Sequence, residues 1–187
     1  MRALWIVAPN TEKQERKGQM KKAIVEAINE QIQAEFESAY IYLAMSARME
    51  QMNLPGFASW LRIQWQEETV HAMKLFDFMI QRDAEVELKQ IEKPSAKFKT
   101  PTEAFESVLS HEQYITNRIH KLYALAVKEN DYPLQTLLQW FIDEQVEEEE
   151  NARAAIDSLK LVGDSGSGLF MLDREMGSRS LPADAGA

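Results

Sequence analysis

Four long stretches of the chain repeat apolar residues at helical spacing, and each places a carboxylate on its own apolar stripe. The first, residues 20–50, carries Ile24, Ile28, Ile32, Ala39 and Leu43 at that spacing, with Glu35 on the face of Ile28 and Ala39. In the second, 56–83, Leu61, Glu68 and Leu75 stand seven apart, with His71 and Ala72 on the same stripe. In the third, 100–130, Glu112 falls among Phe105, Leu109, Ile115 and Ile119; in the fourth, from Asp131-Tyr132-Pro133 to Leu161, Gln145 and Glu148 fall among Leu134, Leu138, Phe141 and Ala152. A buried carboxylate costs several kcal/mol unless it is paired or bound to a metal. Four such acids on four helical faces constrain the fold to one that brings them together.

Composition supports helices. Gly and Pro make up 13 of 187 residues, about half of average usage. The turns at Gln51–Pro55 and Asp131–Pro133 are short, so the stretches form two antiparallel hairpins. The link 84–99 between the hairpins is sixteen residues long. It can reach ~53 Å when extended, whereas a 28-residue helix measures ~42 Å. The link is therefore long enough to run the whole length of a bundle. The expected fold is all-α: a four-helix bundle with a long crossover between its second and third helices. Gly163, Gly166 and Gly168 end the fourth stretch, and 169–176 fits a short fifth helix.

Heights agree within each hairpin. Glu35 lies 18 residues before Asn53 and Glu68 lies 15 after it, a mismatch of ~4.5 Å. Glu112 and Glu148 lie 19 before and 17 after Asp131, a mismatch of ~3 Å. The stagger between hairpins does not follow from the sequence. If they register, four carboxylates and His71 converge, and their charge balances two divalent cations. Carboxylate-plus-imidazole ligation suits iron or manganese. Glu68 and His71 share a helical face at i, i+3. Two-metal bundles usually repeat the Glu-x-x-His pair on another helix; here the fourth stretch offers Gln145-x-x-Glu148 instead. One ion would be held by Glu35, Glu68 and His71. The other would be held by Glu68 as a bridge with Glu112 and Glu148, with Gln145 nearby.

Other classes are excluded or disfavoured. The absence of Cys removes disulfide scaffolds, thiolate metal sites and thiol nucleophiles. A net charge of −9 speaks against nucleic-acid partners and for cationic ones. No apolar run approaches a membrane span. Residues 1–19 do not resemble the rest: their apolar run, Ala3–Ala8, is too short for a signal peptide and no cleavage motif follows. This favours a cytoplasmic protein whose extension is either a flexible arm or a misassigned start ahead of Met20. Residues 177–187 read as a flexible tail.

The chain resembles the non-haem bacterial ferritins. The resemblance rests on Asn29-Glu30-Gln31 with Glu35, Met45-Ser46-Ala47, Leu54-Pro55-Gly56-Phe57-Ala58 and Gln66-Glu67-Glu68-Thr69-Val70-His71. It continues through His111-Glu112-Gln113, Asp131-Tyr132-Pro133, Leu138-Gln139-Trp140 and Glu144-Gln145-Val146-Glu147-Glu148-Glu149, and spans 20–176. The resemblance implies a hollow homo-oligomeric cage of about 24 chains with the fifth helix around a four-fold axis. It also implies a diiron ferroxidase centre that oxidises Fe²⁺ with O₂ or H₂O₂ and passes Fe³⁺ to a mineral core. It further implies a third iron site at Glu67, Glu144 and Glu147, and a role for Tyr42 beside the centre as hydrogen-bond partner or electron donor. Thr69 stands where haem-binding relatives carry Met, so no haem is expected. The 19-residue extension and Glu37, at a position more often aromatic, depart from the family. His111 and His120 read as surface or core-edge residues. Competing readings are a diiron oxidase or peroxidase without storage, and a plain helical interaction bundle that behaves normally without metal.

Overall fold

The computed structural model describes residues 20–181. The extension at 1–19 and the end of the tail at 182–187 lie outside the described residues. Five helices follow in order: α1 Lys22–Gln51, α2 Pro55–Gln81, α3 Pro101–Glu129, α4 Tyr132–Val162 and α5 Gly166–Met176. Among the described residues there is no strand, and no helix is long and apolar enough to cross a membrane.

Local chemistry sets the boundaries. Pro55, Pro101 and Pro133 occupy first-turn positions, where no N–H is needed. The Thr100 hydroxyl accepts from the Glu103 N–H, and the Glu103 carboxylate accepts from the Lys99 N–H, closing the start of α3 reciprocally. Asn130 ends α3 in the left-handed region at φ 57°. The Asp131 side chain accepts from the Leu134 N–H and pairs with Arg82 at 3.0 Å, tying the end of α2 to the start of α4. The fifth helix begins three residues earlier than its apolar pattern suggests. Ser165 caps it by accepting from the Gly168 N–H, so of the three glycines only Gly163 acts as a break. A good cap outweighs two poor helix formers in the first turn.

The core divides into two apolar clusters, one at each end of the bundle. One gathers Met45 and Met49 of α1, Phe57 and Leu61 of α2, Phe105 and Val108 of α3, and Ile156 and Leu159 of α4. The other gathers Ile24 and Ile28, Leu75 and Met79, Ile119 and Leu122, and Leu134 and Leu138 from the same four helices. These memberships fix the directions. The first and fourth helices run from the second cluster to the first, while α2 and α3 run the opposite way. The link 84–99 must therefore traverse the bundle, and it does so along α1. Asn29 donates to the Glu85 carbonyl and accepts from the Glu87 N–H, and Gln33 donates to the Gln90 carbonyl. Phe98 then enters the first cluster. The hairpin stagger that the sequence left open is settled by the same two clusters, which leave one level free in all four helices.

The fifth helix closes the end where α2 begins. Asp173 Oδ1 accepts from the N–H groups of Gly56 and Phe57 at 2.9 and 3.0 Å, serving the positive end of α2 that its own N-cap residue, Leu54, leaves unserved. The approach requires glycine at 56, because a Cβ there would lie 1.6 Å from the Asp173 carbonyl oxygen.

Candidate metal centre

Between the two clusters lies the level that contains the acids. Glu35, Glu68, Glu112 and Glu148 are all buried, as are His71 and Gln145. Ligand atoms of Glu35, Glu68 and His71 lie within 4.8 Å of one another, the grouping expected for one ion. Glu35 Oε2 and Glu68 Oε2 are buried without a hydrogen-bond partner among the described residues. Such orphaned oxygens are costly in a dry core. His71 Nδ1 stands 3.5 Å from Glu68 Oε2, and burial lowers the imidazole to about 4, so at neutral pH it is uncharged and has a lone pair to give. Its ring is held edge-on by Trp140 and Phe141. The other Glu35 oxygen is fixed from outside: Gln31 Nε2 donates to it at 2.8 Å, and Arg118 donates in turn to Gln31 Oε1 at 3.0 Å.

Glu112 and Glu148 occupy the same level, Glu112 with both oxygens engaged and Glu148 with one. The Tyr42 hydroxyl donates to Glu112 Oε1, and Gln145 Nε2 donates to Glu112 Oε2 at 3.2 Å. Gln64 Nε2 donates to Glu148 Oε2 at 2.7 Å. Gln145 thus sits as expected beside Glu112, and Tyr42 is a buried hydrogen-bond partner of the same acid. Among the described residues these acids do not complete a second compact ligand group. Glu67 is buried and accepts at both carboxylate oxygens from a single Arg179 nitrogen, Nη2, at 2.9 and 3.2 Å. Glu144 is half-buried and Glu147 is exposed; they do not close on Glu67 as a ligand group.

Burial raises the acids. It lifts Glu112 to about 7, with the Tyr42 and Gln145 hydrogen bonds pulling the other way. Glu68 is pushed well above the carboxylate range by burial and then by Glu112, Glu35 and Glu148. Glu148 rises for the same first reason, reinforced by Glu112 and Glu67, and Glu35 rises too. Without a cation the centre therefore holds protons at neutral pH; a divalent ion would displace them.

Several site residues escaped the sequence reading. Gln64 is fully buried and lies four residues before Glu68 on the same stripe, a spacing that should have drawn attention to it. His111 stands at the core edge, as expected, with its Nε2 2.7 Å from Ser38 Oγ. Ser38 already donates to the Ala34 carbonyl, so His111 is the donor in that pair. Arg179 lies in the segment read as a flexible tail, where no periodicity announces a contact.

Fold and site together define a four-helix bundle with a carboxylate–imidazole group in its core that can hold a metal ion. Residues 25–162 match the Ferritin family, described as a ferritin-like domain. The chain belongs to that family. It is 36% identical over 161 residues to a bacterial non-heme ferritin of Staphylococcus haemolyticus, covering 86% of this chain and 97% of the relative. A bacterial non-heme ferritin of Campylobacter jejuni is 36% identical over 155 residues, covering 83% and 93%. Among solved structures, an open pore ferritin from the archaeon Archaeoglobus fulgidus superposes with a TM-score of 0.86 at 42% identity, over 88% of this chain and 100% of that one. An engineered closed form of the same ferritin matches equally well.

Proposed function

We propose that this chain is a ferroxidase and iron-storage subunit that takes Fe²⁺ as its substrate. The observation that carries this reading is the pair of orphaned, buried oxygens on Glu35 and Glu68 beside a neutral His71. Hard carboxylate oxygens with one imidazole suit Fe²⁺. Glu35, Glu68 and His71 take one ion; Glu68 bridges to a second held by Glu112 and Glu148, with Gln145 steadying Glu112. Two Fe²⁺ substrate ions held together would each give one electron, the pair reducing O₂ to H₂O₂ or H₂O₂ to water, and leave as Fe³⁺ for a mineral. Tyr42 anchors Glu112 through its hydroxyl. A third iron on Glu67, Glu144 and Glu147 would receive product, and it requires Arg179 to leave Glu67. The likeness to ferritins supports a homo-oligomeric cage of about 24 copies, with α5 at a symmetry axis.

The test is aerobic Fe²⁺ loading of the purified protein, followed by desalting and iron counted per chain. Retention far above about two irons per chain, in a large hollow particle, is the expected result. Retention of only about two would indicate a diiron oxidase without storage, and retention of none would overturn the metal reading. In Glu67→Ala the first oxidation is expected to survive while turnover slows, as read by stopped-flow absorbance.

A further inference from the structure

Arg179 follows α5 and turns back onto the bundle, with 20% of its side chain exposed. Its guanidinium lies over the Trp60 ring, 4.6 Å from the centroid. One nitrogen donates to Gln64 Oε1, and another donates to both oxygens of Glu67. A planar guanidinium stacked on an aromatic, with one nitrogen on an amide oxygen and another on a carboxylate, is the use for which arginine, and not lysine, is suited. The guanidinium has only donors, so it fixes which way the Gln64 amide points. Oε1 faces Arg179, and the remaining NH₂ faces Glu148 Oε2 at 2.7 Å. The C-terminal segment is thereby connected to two acids at once. It neutralises Glu67 directly, and through Gln64 it orients Glu148. Arg179 Nη2 already sits between the two Glu67 oxygens, the place a chelated ion would take, and two cations at one carboxylate repel each other, so the guanidinium and a metal ion compete there.

We propose that Arg179 is a tethered cation that competes with Fe²⁺ for Glu67 and acts as a positioning residue for Glu148 through Gln64. The segment after α5 then sets how tightly an ion is held beyond the two-ion centre. Such an ion binds when the guanidinium swings off Glu67 and Trp60, and the guanidinium returns when the ion moves on. This inference rests on the reading above of a two-ion centre with a further ion at Glu67.

The experiment is anaerobic equilibrium dialysis of the full chain against Fe²⁺, comparing the parent protein with Arg179→Ala and Arg179→Lys, all checked for helicity by circular dichroism. The parent is expected to take up about two Fe²⁺ tightly and a further one weakly. In Arg179→Ala the weak ion tightens by at least about tenfold. Arg179→Lys, which keeps the charge but loses the fork, falls between the two. Binding of the weak ion should also change Trp60 emission in the parent, with Trp60→Phe as the reference, and should change it little in Arg179→Ala. An unchanged or weakened third ion in Arg179→Ala, with the two tight ions intact, would overturn this inference and leave the two-ion reading standing. Failure of the parent to bind any Fe²⁺ would overturn both.

Discussion

The two hairpins bring equal numbers of carboxylates to the centre but prepare them differently. The α1–α2 hairpin supplies Glu35, Glu68 and His71 already gathered, with two oxygens unsatisfied. The α3–α4 hairpin supplies Glu112 with both oxygens occupied by Tyr42 and Gln145, and Glu148 with one oxygen occupied by Gln64. An ion entering the first half would take oxygens that no donor residue holds and displace the proton between Glu35 and Glu68. An ion entering the second half must draw the carboxylates away from existing donors, or share them. On the proposed two-ion reading the two halves are unequally prepared: the first would bind, and the second would adjust.

The largest expected effect comes from removing Glu68, the residue proposed to bridge the two ions. Glu68→Ala should abolish rapid Fe²⁺ oxidation and weaken binding of the first ion by more than about a hundredfold, beyond the usual cost of losing a supporting group. Stopped-flow oxidation and anaerobic Fe²⁺ titration read these outcomes, and oxidation at the parent rate would remove the centre from Glu68. Because burial of the acid is costly without metal, the same variant should be no less stable than the parent when both are metal-free.

A smaller effect is expected from pH. Glu112 is raised from an ordinary 4.5 to about 7 by burial. The folded metal-free protein thus holds a proton that the unfolded chain has lost. The stability associated with that proton is full below about 4.5 and is lost as pH rises through about 7. His71, lowered from 6.5 to about 4, acts oppositely: its contribution is full above about 6.5 and is lost as pH falls toward 4. The acids outnumber the imidazole at the centre, so metal-free stability should decline between pH 5 and pH 7.5, as measured by urea unfolding. Affinity for the second ion should rise over the same interval because a proton must leave. Glu112→Gln should flatten both profiles; a slope equal to the parent's would detach Glu112 from them.

The smallest effect sharpens the contrast between the hairpins. Tyr42→Phe removes the donor on Glu112 Oε1 and should cost about 1–2 kcal/mol of metal-free stability. It should also strengthen the second ion a few-fold, leaving the first unchanged in anaerobic titration. A loss at the first ion instead would mean that the two halves are not separable.

Much of this arrangement is legible in the sequence because helical periodicity and burial act on the same residues. An acid on an apolar stripe is conspicuous, and Glu35, Glu68, Glu112 and Glu148 were found that way. The crossover followed from the reach of residues 84–99, although only the clusters around Ile24 and Met49 show that it spans the bundle. What was missed has a common cause. Gln64, Gln31 and Ser38 are uncharged, so burying them on a stripe raises no alarm, yet each holds a side chain of the site in place. The start of α5 was misplaced because two glycines outweigh one serine in a composition reading, whereas a single capping hydrogen bond decides the matter locally. Arg179 lay beyond any pattern, since a contact between a segment after the last helix and the middle of α2 is purely tertiary.

The most direct measurement is crystallography of the full chain soaked anaerobically with increasing Fe²⁺, locating the ions by anomalous scattering at the iron edge. At low Fe²⁺ the account predicts one ion among Glu35, Glu68 and His71, with Tyr42 still on Glu112. At high Fe²⁺ it predicts a second ion between Glu68, Glu112 and Glu148. A first ion between Glu112 and Glu148, or ions only at surface acids, would contradict it.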